Sequence, residues 1–243
     1  QISTRAAKAI LEEIQKLDLF QDIRQVDFEA GIQKGMISRI SEEINRDYVE
    51  AVKSQSVLYG KQVDRSAAIV YSPLNGTGLQ PVMDTLKEAG YTNVSVVKEQ
   101  EKPDGAFPTC PYPNPEIPEA MELGIQEAKR LGAELFLATD PDCDRVGAAV
   151  KNRQGEYTLL SGNETGMLLL DYLCARRQEA GTMPEDPVCM KTIVTIDMAE
   201  RIAAHYGVRT INVLTGFKYI GEQIGLLEAE GKEDSFVFGL EES

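Results

Sequence analysis

Apolar residues along this chain change their spacing several times, and each change predicts an element. Residues 4–17, TRAAKAILEEIQKL, place apolar side chains at helical spacing and predict an amphipathic helix. Residues 20–40, with Gly31 and Gly35, hold no sustained period and read as a connector. SEEINRDYVEAVKSQ, 41–55, predicts a second helix with Ser41 as its N-cap. From there short apolar runs alternate with helical patterns. AAIVYS (67–72), NVSVVKE (93–99) and ELFLAT (134–139) predict strands. Between them LQPVMDTLKEAG (79–90) and residues 116–131 predict helices, the second opened by Asn114 as N-cap and Pro115 in the first turn. GAAVKNRQGEYTLLS (147–161) predicts a hairpin turning at Asn152–Gly155.

A second cycle starts near 161. NETGMLLLDYLCARRQ, MAERIAAHYG and GFKYIGEQIGLLEAEG predict helices, and PVCMKTIVTI, RTINVL and SFVFGLEES predict strands, the last running into a loop. Strands alternating with helices imply the α/β class, with helices packed on sheets. The expected division is 1–40, 41–160 and 161–243, the first piece belonging to neither α/β unit.

Charge removes some functions. Lys+Arg is 25 and Asp+Glu is 39, a net charge of 25 − 39 = −14. Nucleic acids and anionic membranes both need basic patches, so neither is an expected partner. No apolar run reaches the roughly 18 residues of a membrane span. No basic-then-apolar leader opens the chain, and Cys110, Cys143, Cys174 and Cys189 form no CxxC pair; together these predict a protein of the reducing cytoplasm. The chain opens at Gln1 and stops at GLEES, which predicts a piece of a longer protein.

The strongest candidate chemistry lies in ELFLATDPDCDRVG, 134–147, where Asp140, Asp142 and Asp144 follow a predicted strand, with Arg145 behind them. Open α/β sheets place ligands at strand ends. The spacing starts like an EF-hand loop, but Arg145 and Lys151 stand where Gly and Glu are required, so that reading fails. On an extended strand, side chains two apart sit roughly 7 Å from each other, so three can converge on one ion only if the chain curls, and Pro141 favours a turn. Three carboxylates suit a hard divalent ion such as magnesium, with Arg145 beside it as a planar fork for a phosphate. The alternative is a solvated acidic turn.

Other stretches carry weaker signals. In FVFGLEES, Glu241 and Ser243 can hydrogen-bond sugar hydroxyls or simply end a strand. In LTGFKY, Thr215 caps a helix, Gly216 exposes backbone that a ligand could approach, and Lys218 adds a charge in the first turn. YSPLNGTG (71–78) lacks both GxGxxG and GxxxxGK and reads as a structural turn. KPDGAFPTCPYPNPEIPEA holds six prolines and reads as a stiff loop at a cleft rim, or else a peptide-domain ligand. His205, the single histidine, ends a helix, and no Ser-His-Asp triad can be assembled.

Taken together, DPDCDR (140–145), TGFKY (215–219) and GLEES (239–243) resemble the α-D-phosphohexomutases, the phosphoglucomutase/phosphomannomutase family. YSPLNGTG, PDGAFP…PNPE and LLSGNETGMLLLDYL resemble its bacterial phosphoglucomutase branch. The resemblance runs over essentially the whole chain. It implies two consecutive α/β units with mixed sheets: the second domain, with the metal loop, at 41–160, and a sugar-binding third domain at 161–243. Residues 1–40 would be the tail of a first domain. It implies magnesium on Asp140, Asp142 and Asp144, with Arg145 beside the metal. Glu241 and Ser243 would be sugar contacts, with Thr215 and Gly216 as the second sugar loop. Lys218 would be a phosphate contact or proton-transfer group. The implied reaction interconverts hexose 1-phosphate and hexose 6-phosphate through a bisphosphate, glucose 1,6-bisphosphate for glucose.

The departures from the family pattern are a Ser-His-Asn-Pro-type phosphoserine loop and a phosphate-gripping fourth domain, neither of which this sequence contains; His205 follows Ala204. This chain alone is therefore expected to be inactive. Position 143 is Cys where many relatives have Gly or Ala. Alternatives are a phosphopentomutase of the same superfamily, a phosphatase with an aspartate nucleophile, and a non-catalytic metal-binding module. The phosphatase reading lacks its following Thr and downstream Lys-Asp pair.

Overall fold

A computed structural model describes residues 2–242. The chain divides into two units, Gln1–Asp47 and Tyr48–Ser243. The first contains α1 (Thr4–Ile14) and α2 (Phe28–Gln33). Each starts on a short polar cap: the Ser3 hydroxyl accepts from the Ala6 amide, and Asp27 Oδ1 from the Ala30 amide. The segment expected to be a plain connector therefore holds a short helix, α2. α3 (Glu42–Ser54) follows.

The second unit carries two sheets. β1 (Ile69–Ser72), β2 (Val94–Val96), β3 (Leu135–Thr139), β4 (Val146–Lys151) and β5 (Tyr157–Leu160) form the first, in the order β2-β1-β3-β4-β5. β1 runs parallel to β2 and β3, whereas β3, β4 and β5 are successively antiparallel, so the sheet is mixed. α4 (Leu79–Glu88) and α5 (Pro118–Leu131) connect the parallel strands. Every residue of β1 is buried, as expected of a central strand covered on both faces. Phe136 of β3 packs its ring against Gly124 of α5, where a Cβ would lie 1.9 Å from the ring. Burying such a ring contributes about 1.5–3 kcal/mol.

The second sheet has the order β7-β6-β8, with β6 (Val188–Thr192) between β7 (Arg209–Val213) and β8 (Phe236–Leu240). Its three strands are all parallel. α6 (Gly162–Ala180), α7 (Met198–His205) and α8 (Phe217–Ala229) pack on it, burying Leu170, Cys174, Ala203 and Ile220 against Cys189, Met190 and Val237. α6 opens with a capping box in which Ser161 and Glu164 satisfy each other's backbone amides. The α/β architecture expected from the alternating pattern is present. Among the described residues no helix is long and apolar enough to cross a membrane.

Three elements end differently from their sequence patterns. β6 stops at Thr192, although the apolar run continues to Ile196; β8 ends opposite Lys191 and β7 opposite Thr192, so beyond the Ile193 amide, which donates to the Val213 carbonyl, the run has no strand to pair with and turns instead. α5 begins at Pro118, and Asn114 does not cap it: its Oδ1 accepts from the Glu116 amide in a preceding turn. α8 begins at Phe217 on a Gly216 N-cap with no side-chain capping bond, so Thr215 does not cap it either.

Candidate functional site

β3 ends at Thr139 and returns as β4 at Val146, pairing the two residues across a tight connection. The aspartates lie in that connection. It curls: the Cys143 amide donates to the Asp140 carbonyl at 3.0 Å, and Cys143 takes a φ of +64°. That left-handed conformation is uncommon for a side-chain-bearing residue, and glycine adopts it without strain. The curl removes the separation that an extended strand would impose. One carboxylate oxygen from each of Asp140, Asp142 and Asp144 lies within 4.8 Å of the others.

The three carboxylates are not equivalent. Asp140 is buried, while Asp142 and Asp144 are exposed. Asp140 Oδ1 accepts the amides of Asp144 and Arg145, and Oδ2 accepts Arg145 Nε at 2.8 Å. Burial alone would raise its pKa, but the hydrogen bonds and charge of Arg145 outweigh burial and hold it below the ordinary carboxylate range. Asp144 is pushed upward by burial and by the charges of Asp140 and Asp142. Excess negative charge and a compact oxygen donor set fit a hard divalent cation.

The turn after β1 buttresses this loop. Thr77 donates both its amide (2.9 Å) and its hydroxyl (3.0 Å) to the Pro141 carbonyl. Gly76 lies so close that a Cβ there would stand 2.2 Å from Pro141 Cα. Beneath them the buried Tyr71 hydroxyl meets Thr139 Oγ1 at 2.9 Å, and burial pushes the phenol up to about 12. YSPLNGTG is a structural turn, as its composition suggests, and the backbone it supports is that of the aspartate loop.

The second group of candidates collects at the C-terminal ends of the parallel strands. Register pairs Lys191 with Leu240 and Thr192 with Val213, which brings the loops after β6, β7 and β8 level with one another. Glu241 Oε2 accepts the Gly216 amide at 2.6 Å, joining two of these loops directly. Gly216 has a φ of +123°, a conformation closed to most other residues. Thr215 precedes it. Lys218 lies with its Nζ 5.0 Å from the centre of the Tyr219 ring. Ser243 lies outside the described residues.

Two features escaped the sequence reading. Lys191, 2% exposed, donates from Nζ to the Thr195 carbonyl (3.0 Å) and Asp197 Oδ1 (3.2 Å). Its signal was a lone charge inside an apolar strand pattern. Glu242 donates its amide to Thr195 Oγ1, while its Oε2 is buried without a hydrogen-bond partner. Glu116 and Glu242 both crowd Gly162, where a Cβ would stand 2.9 Å and 3.0 Å from their carboxylate oxygens. Burial, then the charge of Glu116, raises the Glu242 pKa. Pro115 in turn sits over Gly147 of β4. The proline-rich loop thus runs between the strand following the aspartates and the loop following β8.

Residues 46–155 match the family model described as phosphoglucomutase/phosphomannomutase, alpha/beta/alpha domain II, and residues 161–243 match domain III of the same family. A phosphoglucomutase from Staphylococcus saprophyticus is 35% identical over 245 aligned residues, covering 100% of this chain and 43% of its own length. The chain therefore spans under half of that relative. Among solved structures, a phosphoglucomutase/phosphomannomutase family protein from Burkholderia thailandensis superposes with a TM-score of 0.57 at 20% identity, over 75% of this chain and 36% of its own. N-acetylphosphoglucosamine mutase from Aspergillus fumigatus, solved with GlcNAc-6P and magnesium, gives 0.52 at 14% identity, over 75% and 37%. At these identities the structural likenesses concern the fold.

Proposed function

Because the chain belongs to the phosphoglucomutase/phosphomannomutase family, we propose that it is the metal- and sugar-binding portion of a mutase that interconverts hexose 1-phosphate and hexose 6-phosphate. The observation that carries this reading is the convergence of Asp140, Asp142 and Asp144 at a strand end beside Arg145. The name of the Staphylococcus relative supports glucose phosphate as substrate. The magnesium in the Aspergillus complex supports that ion as cofactor, and a related complex with glucose 1,6-bisphosphate supports a bisphosphate intermediate. Four free thiols fit a reducing cytoplasm.

Phosphoryl transfer asks a protein mostly for positioning and charge neutralisation. Asp140, Asp142 and Asp144 would hold magnesium, which when bound supplies positive charge to a transferring phosphoryl group. Arg145 spends Nε on Asp140; its terminal nitrogens make no hydrogen bond among the described residues, and its side chain is part-exposed, which would leave them for a phosphate oxygen. Glu241 and the Gly216 backbone would read ring hydroxyls, with Thr215 preceding Gly216 in the same loop; Ser243 is a sugar contact on the family resemblance alone. Lys218 and the buried Lys191 offer positive charge near that loop cluster. The phosphoryl carrier would be a serine outside this sequence.

The test has two arms. The 243-residue chain, given glucose 1-phosphate, magnesium and a trace of glucose 1,6-bisphosphate, is expected to bind the sugar phosphate without turning it over. The longer parent protein is expected to convert it. Turnover by the 243-residue chain that survives further purification would reveal a nucleophile within it and overturn the assignment of the carrier. Absence of mutase activity in the parent would overturn the function.

A further inference from the structure

The charge of the aspartate loop depends on one residue. Asp140, Asp142 and Asp144 carry −3, and Arg145 brings the loop to −3 + 1 = −2. The guanidinium is held in place: Nε donates to Asp140 Oδ2 at 2.8 Å and lies 3.9 Å from Asp144 Oδ1. A carboxylate offers roughly four lone-pair sites. Asp140 already accepts three hydrogen bonds, two from backbone amides and one from Arg145. One site remains, so a cation on Asp140 must sit close to the guanidinium.

We infer that Arg145 is the resident counter-cation of this loop, setting its charge so that a divalent ion leaves it neutral and exchangeable. The inference rests on the reading of the loop as a cation site. Two effects of Arg145 oppose each other. It orients Asp140, which favours the ion, and its charge repels the ion, which weakens it. The geometry decides between them. Asp140 is fixed by burial and by the two amides whether or not Arg145 is present, so orientation is largely redundant. Repulsion between a unit and a divalent charge at a few ångströms has no such substitute. Ligand charge count is also the usual lever by which oxygen sites tune affinity.

The experiment is a manganese titration of the 243-residue chain, read by the electron paramagnetic resonance signal of free Mn2+, with circular dichroism as the check on folding. Arg145→Gln is expected to tighten binding by roughly tenfold or more, the size set by removing one charge beside the ion. Arg145→Lys keeps the charge and loses the fork; its affinity is expected to stay within about threefold of the unsubstituted chain. Weaker binding in both variants would show Arg145 to be an orienting residue and overturn the inference, as would unchanged affinity in Arg145→Gln. If Arg145→Gln fails to fold, Arg145→Lys decides: a large change in affinity at constant charge overturns the inference, and wild-type affinity supports it. If the unsubstituted chain binds no manganese, or if Asp142→Asn binds it equally well, the cation-site reading itself fails, and this inference fails with it.

Discussion

The Gly216 amide donates to Glu241 Oε2 at 2.6 Å, tying the loop after β7 to the loop after β8 across 25 residues of sequence. A hydrogen bond to a charged acceptor contributes about 1.5–3 kcal/mol. Glu241→Ala is therefore expected to release the 214–217 loop, speed hydrogen exchange of the Gly216 amide, and weaken glucose 1-phosphate binding. Cation affinity should be unchanged, because Glu241 is not among the clustered carboxylates. NMR exchange rates and a manganese titration check both halves; a collapse of cation affinity would place Glu241 in the metal site.

Asp142 is exposed and contributes one of the three converging carboxylate oxygens. Asp142→Asn removes a charge without opening the core, so the melting temperature should barely move. Affinity for magnesium or manganese should fall roughly tenfold or more, since ligand charge dominates binding of hard cations. Calorimetric titration reads this directly, and undiminished affinity would exclude Asp142 as a ligand.

Gly76 lies against Pro141 backbone, not against a yielding side chain. Gly76→Ala must displace the aspartate loop or the β1 turn. Overpacking of this kind costs about 1–3 kcal/mol, which lowers the melting temperature by about 2–4 °C per kcal/mol in a chain of this size. Cation affinity should fall with it. A variant of unchanged melting temperature and affinity would show that the turn does not support the loop.

Glu242 gives a pH-dependent prediction. Burial and Glu116 raise its folded pKa above the ordinary 4.5. A raised carboxyl favours the folded state when protonated: that contribution is fully present below 4.5 and is lost as pH rises through the folded value. At pH 7 the buried, unpartnered Oε2 is therefore a net cost. Glu242→Gln is expected to raise the melting temperature at pH 7, by about 2–4 °C for each kcal/mol relieved. The gain should disappear near pH 4. A gain of equal size at both pH values would mean that charge is not its source.

The residue pattern by itself determined the order of strands and helices except for the short α2, the α/β class, and the strand-end position of the three aspartates. These follow from local periodicity and from covalent spacing, which need no partner. It also determined that the aspartates must curl to meet, because extended geometry keeps alternate side chains apart. How they curl was decided by tertiary structure: Cys143 turns left-handed, and the Thr77 amide and hydroxyl hold Pro141 from a distant segment. The end of β6 was decided in the same way. TIVTI is as apolar as the strand before it, yet β7 and β8 supply pairing partners only as far as Thr192. The bond between Glu241 and Gly216, the burial of Lys191 and the crowding of Glu116 and Glu242 at Gly162 also come from sheet order and register. Each joins residues far apart in sequence. A local pattern records what a residue prefers beside its neighbours, while these contacts depend on which strand ends the folded sheet sets side by side.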